Sequence, residues 1–354
     1  MHRRSFLAAS AAATALPLTL ARASAGKWRS FDMTYTVEIP ASSGATRIWL
    51  PLPYDRPFQR LESLTWSGNT PVGIYTDTST GTRAIHAAWA AGGEARKVTA
   101  NIRVGTQPRA VSLTAGPTSG QTGSGAMPEE IARFLKPSEM IRTDGVVKDT
   151  ADKIVAGKSD PLVKAQLIYD WIVENTFRDP KVRGCGIGDI RAMLTTGNLG
   201  GKCADLNALF VGLCRAVGVP ARDVYGVRVA PSAHYPAMGT GSADISKAQH
   251  CRAEFWTAGT GWAPADPADI RKVVLDNKVA LDDPKMPDLR RFLFGSWEGN
   301  WIAFNHSHDV KLMPGGPVVN FFMYPEGETA KGRLDGVDPA AYGFKLTVKE
   351  VTAA

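Results

Sequence analysis

The sequence predicts an α+β fold: a buried helix packed on an antiparallel sheet, preceded by a β-sandwich-like region over residues 26–113. Three stretches carry this prediction. From 204 to 217 the chain is largely apolar, through Leu206, Leu209, Phe210, Val211, Leu213 and Val217, which predicts a helix buried on most sides. Residues 249–256 and 262–267 flank the turn Ala258-Gly259-Thr260-Gly261 and predict a hairpin. Near the amino terminus Phe31, Met33, Tyr35, Val37 and Ile39 alternate with Asp32, Thr34, Thr36 and Glu38, the pattern of a half-buried strand.

Taken in order, residues 1–25 are an address and not part of the fold. Arg3-Arg4-Ser5-Phe6-Leu7 precedes an Ala/Leu-rich run ending near Leu20, and Ala23-Ser24-Ala25 supplies a small-x-small cleavage site. The arginine pair is that of a twin-arginine export signal, with an ordinary secretory signal as the alternative. The mature chain is expected to start near Gly26, in a bacterial periplasm or outside the cell. Further strands are expected at Ile48-Trp49-Leu50-Pro51 and over 98–104. Residues 114–127, rich in Gly, Ser and Thr, predict a linker. Helices are expected near 127–135, over 150–156, and from Asp160-Pro161 to Asn175, where an aspartate precedes a proline at the first helical position. A glycine-punctuated loop over 178–198 holds a short helical piece at 189–194. After the buried helix come a strand over 221–230 and the Gly/Ser/Ala/Pro-rich segment 231–248, the length and composition of a rim or lid. A helix over 288–294 and a closing strand through Phe344, Leu346 and Val348 complete the region 128–354, read as one catalytic domain with a strand tail.

Composition bounds the partners. In 354 residues, 44% hydrophobic and 21% charged content describe an ordinary globular chain with length enough for two cores. The formal charge of +7 includes Arg3, Arg4 and Arg22 of the signal, and their removal leaves +4, without a basic block. Nothing there predicts a nucleic-acid partner. Beyond the signal no stretch has the length and apolarity of a membrane span.

The chemistry centres on Gly200-Gly201-Lys202-Cys203-Ala204-Asp205. Two glycines allow a sharp turn and a close approach of neighbouring chain, and Cys203 then opens the buried helix. At a helix N-terminus, unpaired backbone N–H groups and the helix dipole both lower a thiol pKa. If the hairpin is centred on its turn, His250 and Asp266 lie nearly opposite each other, and the carboxylate can hold the imidazole. Cys203, His250 and Asp266 are therefore the candidate nucleophile, base and orienting acid. His234 and Asp269 are the local rivals for the second and third roles, and Arg183 and Asp189 are candidate substrate contacts. Of the other cysteines, Cys214 is expected to be an inert core thiol, whereas Cys185 either pairs with Cys251 or stays free. Their spacing does not match a structural zinc site. His306-Ser307-His308 lacks a third ligand in any recognised pattern.

These motifs resemble the transglutaminase-like superfamily: Gly-Lys-Cys203-Ala-Asp, then Leu-Cys-Arg-Ala-Val-Gly-Val-Pro-Ala-Arg222, His250, and Gly261-Trp262-Ala-Pro-Ala-Asp266-Pro267, after the helix Ile168-Tyr169-Asp170-Trp171-Ile172. The resemblance covers roughly residues 128–275. It implies a papain-like/transglutaminase-like core with a Cys-His-Asp triad, needing no cofactor and no metal. The expected activity is that of an exported cysteine hydrolase, a peptidase or amidase acting on an amide-containing envelope substrate through a thioester. Acyl transfer to an amine, with cross-linking, is the alternative, and a non-catalytic binding scaffold is the third reading. The backbone N–H of Cys203 is the expected oxyanion donor; no residue matches the upstream tryptophan that supplies the second donor in animal transglutaminases.

Overall fold

The computed structural model describes residues 26–113 and 127–351; the expected signal and nearly all of the expected linker lie outside them. Six strands come first: β1 (Arg29–Ile39), β2 (Thr46–Pro51), β3 (Gln59–Gly68), β4 (Val72–Thr76), β5 (Arg83–Trp89) and β6 (Arg96–Thr106). In β1 the alternation does what it predicts. Phe31, Met33 and Tyr35 are fully buried, while Asp32 faces outward, opposite Arg103 of β6. That arginine donates to both carboxylate oxygens, at 2.7 and 2.9 Å, a cross-strand pair on the solvent face.

The second half supplies helices α1 (Val146–Val155), α2 (Pro161–Asn175), α3 (Ile190–Thr196) and α4 (Cys203–Ala216). Strands β7 (Ala221–Arg228), β8 (Gln249–Thr257) and β9 (Gly261–Ala265) follow, then α5 (Pro267–Asp276), α6 (Met286–Phe292), β10 (Trp301–Asn305), β11 (Glu326–Thr329) and β12 (Phe344–Val351). Asp160 caps α2 as its sequence position predicts, its Oδ1 accepting from the N–H groups of Leu162 (2.8 Å) and Val163 (3.1 Å). Strands β9-β8-β7-β10 form one antiparallel sheet. Helix α4 lies against its β7–β8 portion, and all fourteen of its residues are buried. This is the papain-like/transglutaminase-like core, and its apolar cluster joins α1, α2, α4 and α5 to β8.

Two elements depart from expectation. The closing strand, expected as the tail of the catalytic region, hydrogen-bonds β1 along its length from Phe344 to Val351. Likewise β11 pairs with β2. The two N-terminal sheets, β12-β1-β6-β3 and a five-stranded sheet containing β11-β2-β5-β4, thus each take strands from the end of the chain. They share an apolar core in which Phe344, Leu346 and Val348 meet the inward face of β1. Sequence spacing alone cannot show which distant edge completes a sheet. The second difference is local. The hairpin's second strand stops at Ala265, and Pro267 starts a helix that the alternating reading overlooked.

Asp205 ties the turn before Cys203 to the preceding loop. Its carboxylate accepts the backbone N–H groups of Lys202 (2.9 Å), Ile187 (3.0 Å) and Gly188 (2.9 Å). The crossing is tight: a Cβ on Gly186, which has φ +91°, would stand 1.9 Å from Asp205 Oδ2. Replacement of Gly186 by alanine is therefore expected to lower unfolding free energy by about 1–3 kcal/mol in denaturant titration. The control is Gly197→Ala, where φ is +70° and a Cβ meets nothing within 4 Å; it bears only the backbone strain and falls less.

Candidate active site

Cys203 is the first residue of α4 and is 4% exposed. As a first-turn residue it has no carbonyl four positions back within the helix for its own N–H. His250 lies on β8 and Asp266 immediately after β9, as the N-cap of α5. The register Ala253↔Ala265 puts Asp266 level with Arg252, so carboxylate and imidazole meet on the diagonal and not directly across the hairpin. The contact is close all the same: His250 Nε2 to Asp266 Oδ2 is 2.7 Å. That leaves Nδ1 as the ring nitrogen for the Cys203 thiol, whose pKa the imidazole helps to lower.

The carboxylate is itself held. Asn207 Nδ2 and the backbone N–H of Asp269 donate to Asp266 Oδ1, at 3.3 and 3.1 Å. Asn207 stands one helical turn after Cys203 on the same face of α4, a spacing that could have singled it out. Asp269 lies 3.6 Å from His250 Nε2 but is occupied by an ion pair with Arg228 Nη2 at 2.5 Å. Arg252 Nε lies 3.8 Å from Asp266 Oδ2. Trp301 Nε1 donates to the His250 carbonyl at 2.9 Å, fixing the strand that carries the ring. Arg228, Arg252 and Trp301 reach the site through strand register, and no local sequence signal marks them.

Electrostatics favour an ionised pair. Hydrogen bonds from Cys185, then Cys251, hold the Cys203 thiol well below its ordinary pKa against the opposing effect of burial, and His250 adds to the lowering. Cys185 is raised well above the ordinary value, first by its bond to Cys203 and then by burial. Burial and the Arg228 charge push His250 down, but the Asp269 and Asp266 carboxylates outweigh them and its pKa is raised. Ionised, the cluster sets Cys203, Asp266 and Asp269 against Arg228, Arg252 and His250, so its formal charges cancel. His250, Asp266 and Asp269 also lie close enough to share a cation. The two guanidiniums already compensate those carboxylates and would repel one.

All four cysteines are free. Cys251 leaves β8 on the face opposite His250, as alternation requires, yet that face is where α4 begins, and its thiol reaches Cys203. The Cys185 Sγ lies 3.4 Å from the Gln249 carbonyl, a second acceptor for the one proton this thiol carries. Cys214 is fully buried in the core. The rivals and outliers sit elsewhere: His234 is exposed and packs at a tilt against Phe292, Arg183 pairs with Asp335, and Asp189 caps α3. His306 and His308 bond Tyr54 and Tyr225 separately.

A cavity of about 450 Å³ opens onto the thiol, lined among others by Cys185, Cys203, Gln249, His250 and Tyr324. Gly239, Thr240, Lys247 and Ala248 also line it, so the segment over 231–248 does form a rim. Gln249 is 8% exposed, and its side-chain Nε2 is buried without a hydrogen-bond partner among the described residues. It projects from the same strand face as Cys251.

The family model described as the transglutaminase-like superfamily matches residues 148–267, which contain Cys203, His250 and Asp266. Over 340 residues the chain is 35% identical to a Haemophilus influenzae protein described only as uncharacterized, with 91% of each covered. Among solved structures, one from Cytophaga hutchinsonii, described as a "putative cysteine protease", gives a TM-score of 0.54 at 16% identity, covering 91% of this chain and 98% of that one. The periplasmic domain of TgpA from Pseudomonas aeruginosa gives 0.37 at 15% identity, covering 72% and 91%. Residues 148–267 of the chain thus belong to the transglutaminase-like superfamily.

Proposed function

We propose that the protein is an exported thiol hydrolase, a peptidase or amidase, with Cys203 as nucleophile, His250 as acid and base, and Asp266 as the group that orients the ring. The observation that carries this reading is the Nε2–Oδ2 contact of 2.7 Å, which aims the other ring nitrogen at a thiol opening a buried helix. The Cys203 thiolate attacks the amide carbonyl, forming a carbon–sulfur bond and a tetrahedral oxyanion. The carbon–nitrogen bond then breaks, and the amine leaves with the proton held on His250. Water attacks the thioester, gives its proton to the imidazole and releases the acid, regenerating the thiol pair. The backbone N–H of Cys203 is one oxyanion donor; Gln249 Nε2, buried without a partner among the described residues and on a residue lining the same cavity, is the other.

Each assignment has a test. With a fluorogenic peptide pool, Cys203→Ala is expected to abolish turnover, and Asp266→Asn to lower kcat about 100- to 10,000-fold with little change in KM. Gln249→Leu is expected to lower kcat about 100-fold while leaving the rate of Cys203 alkylation as it was. Equal loss of both would mean that the glutamine shapes the thiol and not the oxyanion site. A labelled amine added to the same reactions distinguishes hydrolysis, which leaves it free, from acyl transfer, which incorporates it.

The pH profile follows from the directions of the two shifts. A lowered thiol pKa keeps the nucleophile ionised below the range of an ordinary cysteine, and activity falls as acid protonates it. A raised imidazole pKa keeps the leaving-group proton available, and activity falls as base removes it. The profile is therefore expected to be a bell whose acid limb depends on Cys203 and whose alkaline limb depends on His250.

Export is the remaining part of the reading, supported by Arg3-Arg4-Ser5-Phe6-Leu7 and the Ala23-Ser24-Ala25 site. The mature N-terminus is expected near Gly26 by peptide sequencing, and replacing both arginines with lysine is expected to retain the precursor in the cytoplasm. Export of the doubly substituted chain would point to the general secretory route.

A further inference from the structure

The walls of the cleft carry charge that the triad does not use. Arg178, Lys202, Arg228, Lys247 and Lys272 all line the cavity around Cys203, and no aspartate or glutamate does. Arg228 belongs to the balanced cluster described above, paired with Asp269. Of the other four, Arg178 and Lys272 share one carboxylate, Asp276, at 4.0 and 3.7 Å. The ammonium groups of Lys202 and Lys247 have no ion pair among the described residues. Three positive charges thus remain uncompensated on the wall of a concave site, where low-dielectric surroundings focus the field.

Their placement brackets the nucleophile. Lys202 directly precedes Cys203 and caps α4, Lys247 stands on the exposed rim three residues before His250, and Arg178 and Lys272 lie on the wall that includes α5. A chain threaded past the thiol meets a cation on more than one side. A cavity of about 450 Å³ holds a few residues and not a folded surface. We propose that the acyl donor is an acidic peptide, with carboxylates on the residues flanking the amide that meets Cys203. This deepens the hydrolase reading by naming its substrate class, and it rests on that reading only for the identity of the bond attacked.

The test separates binding from turnover. Mature Cys203→Ala protein is titrated by fluorescence anisotropy with three labelled hexapeptides matched in sequence, whose flanking positions carry Glu, Gln or Lys. The glutamate peptide is expected to bind at least about tenfold more tightly than the glutamine peptide at low ionic strength, and the preference is expected to shrink as salt is raised. Adding Lys202→Gln and Lys247→Gln to Cys203→Ala is expected to remove most of that preference, with thermal melting used to confirm folding. Equal binding of the Glu and Gln peptides, or a preference that survives both lysine changes in a folded protein, would overturn the proposal. The same peptides given to wild-type protein report on the hydrolase reading separately. Selective binding without turnover leaves the acidic-peptide proposal standing and removes the catalytic one.

Discussion

The molecule depends on how the N-terminal end of α4 is buried. A helix whose fourteen residues are all buried would ordinarily leave its first N–H groups unsatisfied and its first side chain inert. Here the orphan donors have uses. Asp205 draws Lys202, Ile187 and Gly188 to one carboxylate, closing the turn, and the Ala204 N–H donates to the Cys185 carbonyl at 2.9 Å. The same loop delivers the Cys185 thiol to Cys203. Backbone satisfaction and stabilisation of the thiolate are therefore one arrangement, and Gly186 and Gly201 are needed because Asp205 occupies the space their side chains would take.

From this end of α4 the rest of the site is placed by the sheet. His250, Arg252 and Glu254 share one face of β8, while Cys251 and Phe255 face the helix. On the His250 face Trp297 and Trp301 cluster with Phe58 of the N-terminal region, so that face is a boundary with it. Glu254 shows how firmly that boundary is stitched. It accepts from Arg222 within its own sheet, and from Arg56 and Arg109 of the N-terminal region. Burial raises the cost of every one of these charges, and the paired geometry offsets it. The closing strand β12 adds to the same constraint by completing the sheet that β1 begins.

Much of this was legible in the residues, for physical reasons that can be named. An unbroken apolar run announces a buried helix, and Asp160-Pro161 announces where another starts, because both signals are local. Cys203, His250 and Asp266 were legible as a set because a helix start and a hairpin each restrict where a side chain points. The same reasoning went astray at Asp266, where the Asp-Pro signal read correctly at 160 was passed over in favour of strand continuation. What stayed hidden is non-local. That Cys251 reaches Cys203, that Arg228 occupies Asp269, and that residues 344–351 close the first sheet all depend on which edges meet. Alternation fixes the face of a side chain but not its neighbour.

The central claim is that Cys203 rests as a thiolate beside a protonated His250. Ultraviolet thiolate absorbance, followed through a pH titration of the wild-type protein and of Cys203→Ser, tests it directly. The account predicts excess absorbance in the wild type at neutral pH, absent from the variant and lost at a midpoint well below the ordinary cysteine value of about 8.5. A difference between the two proteins that emerges only at or above that value would contradict it.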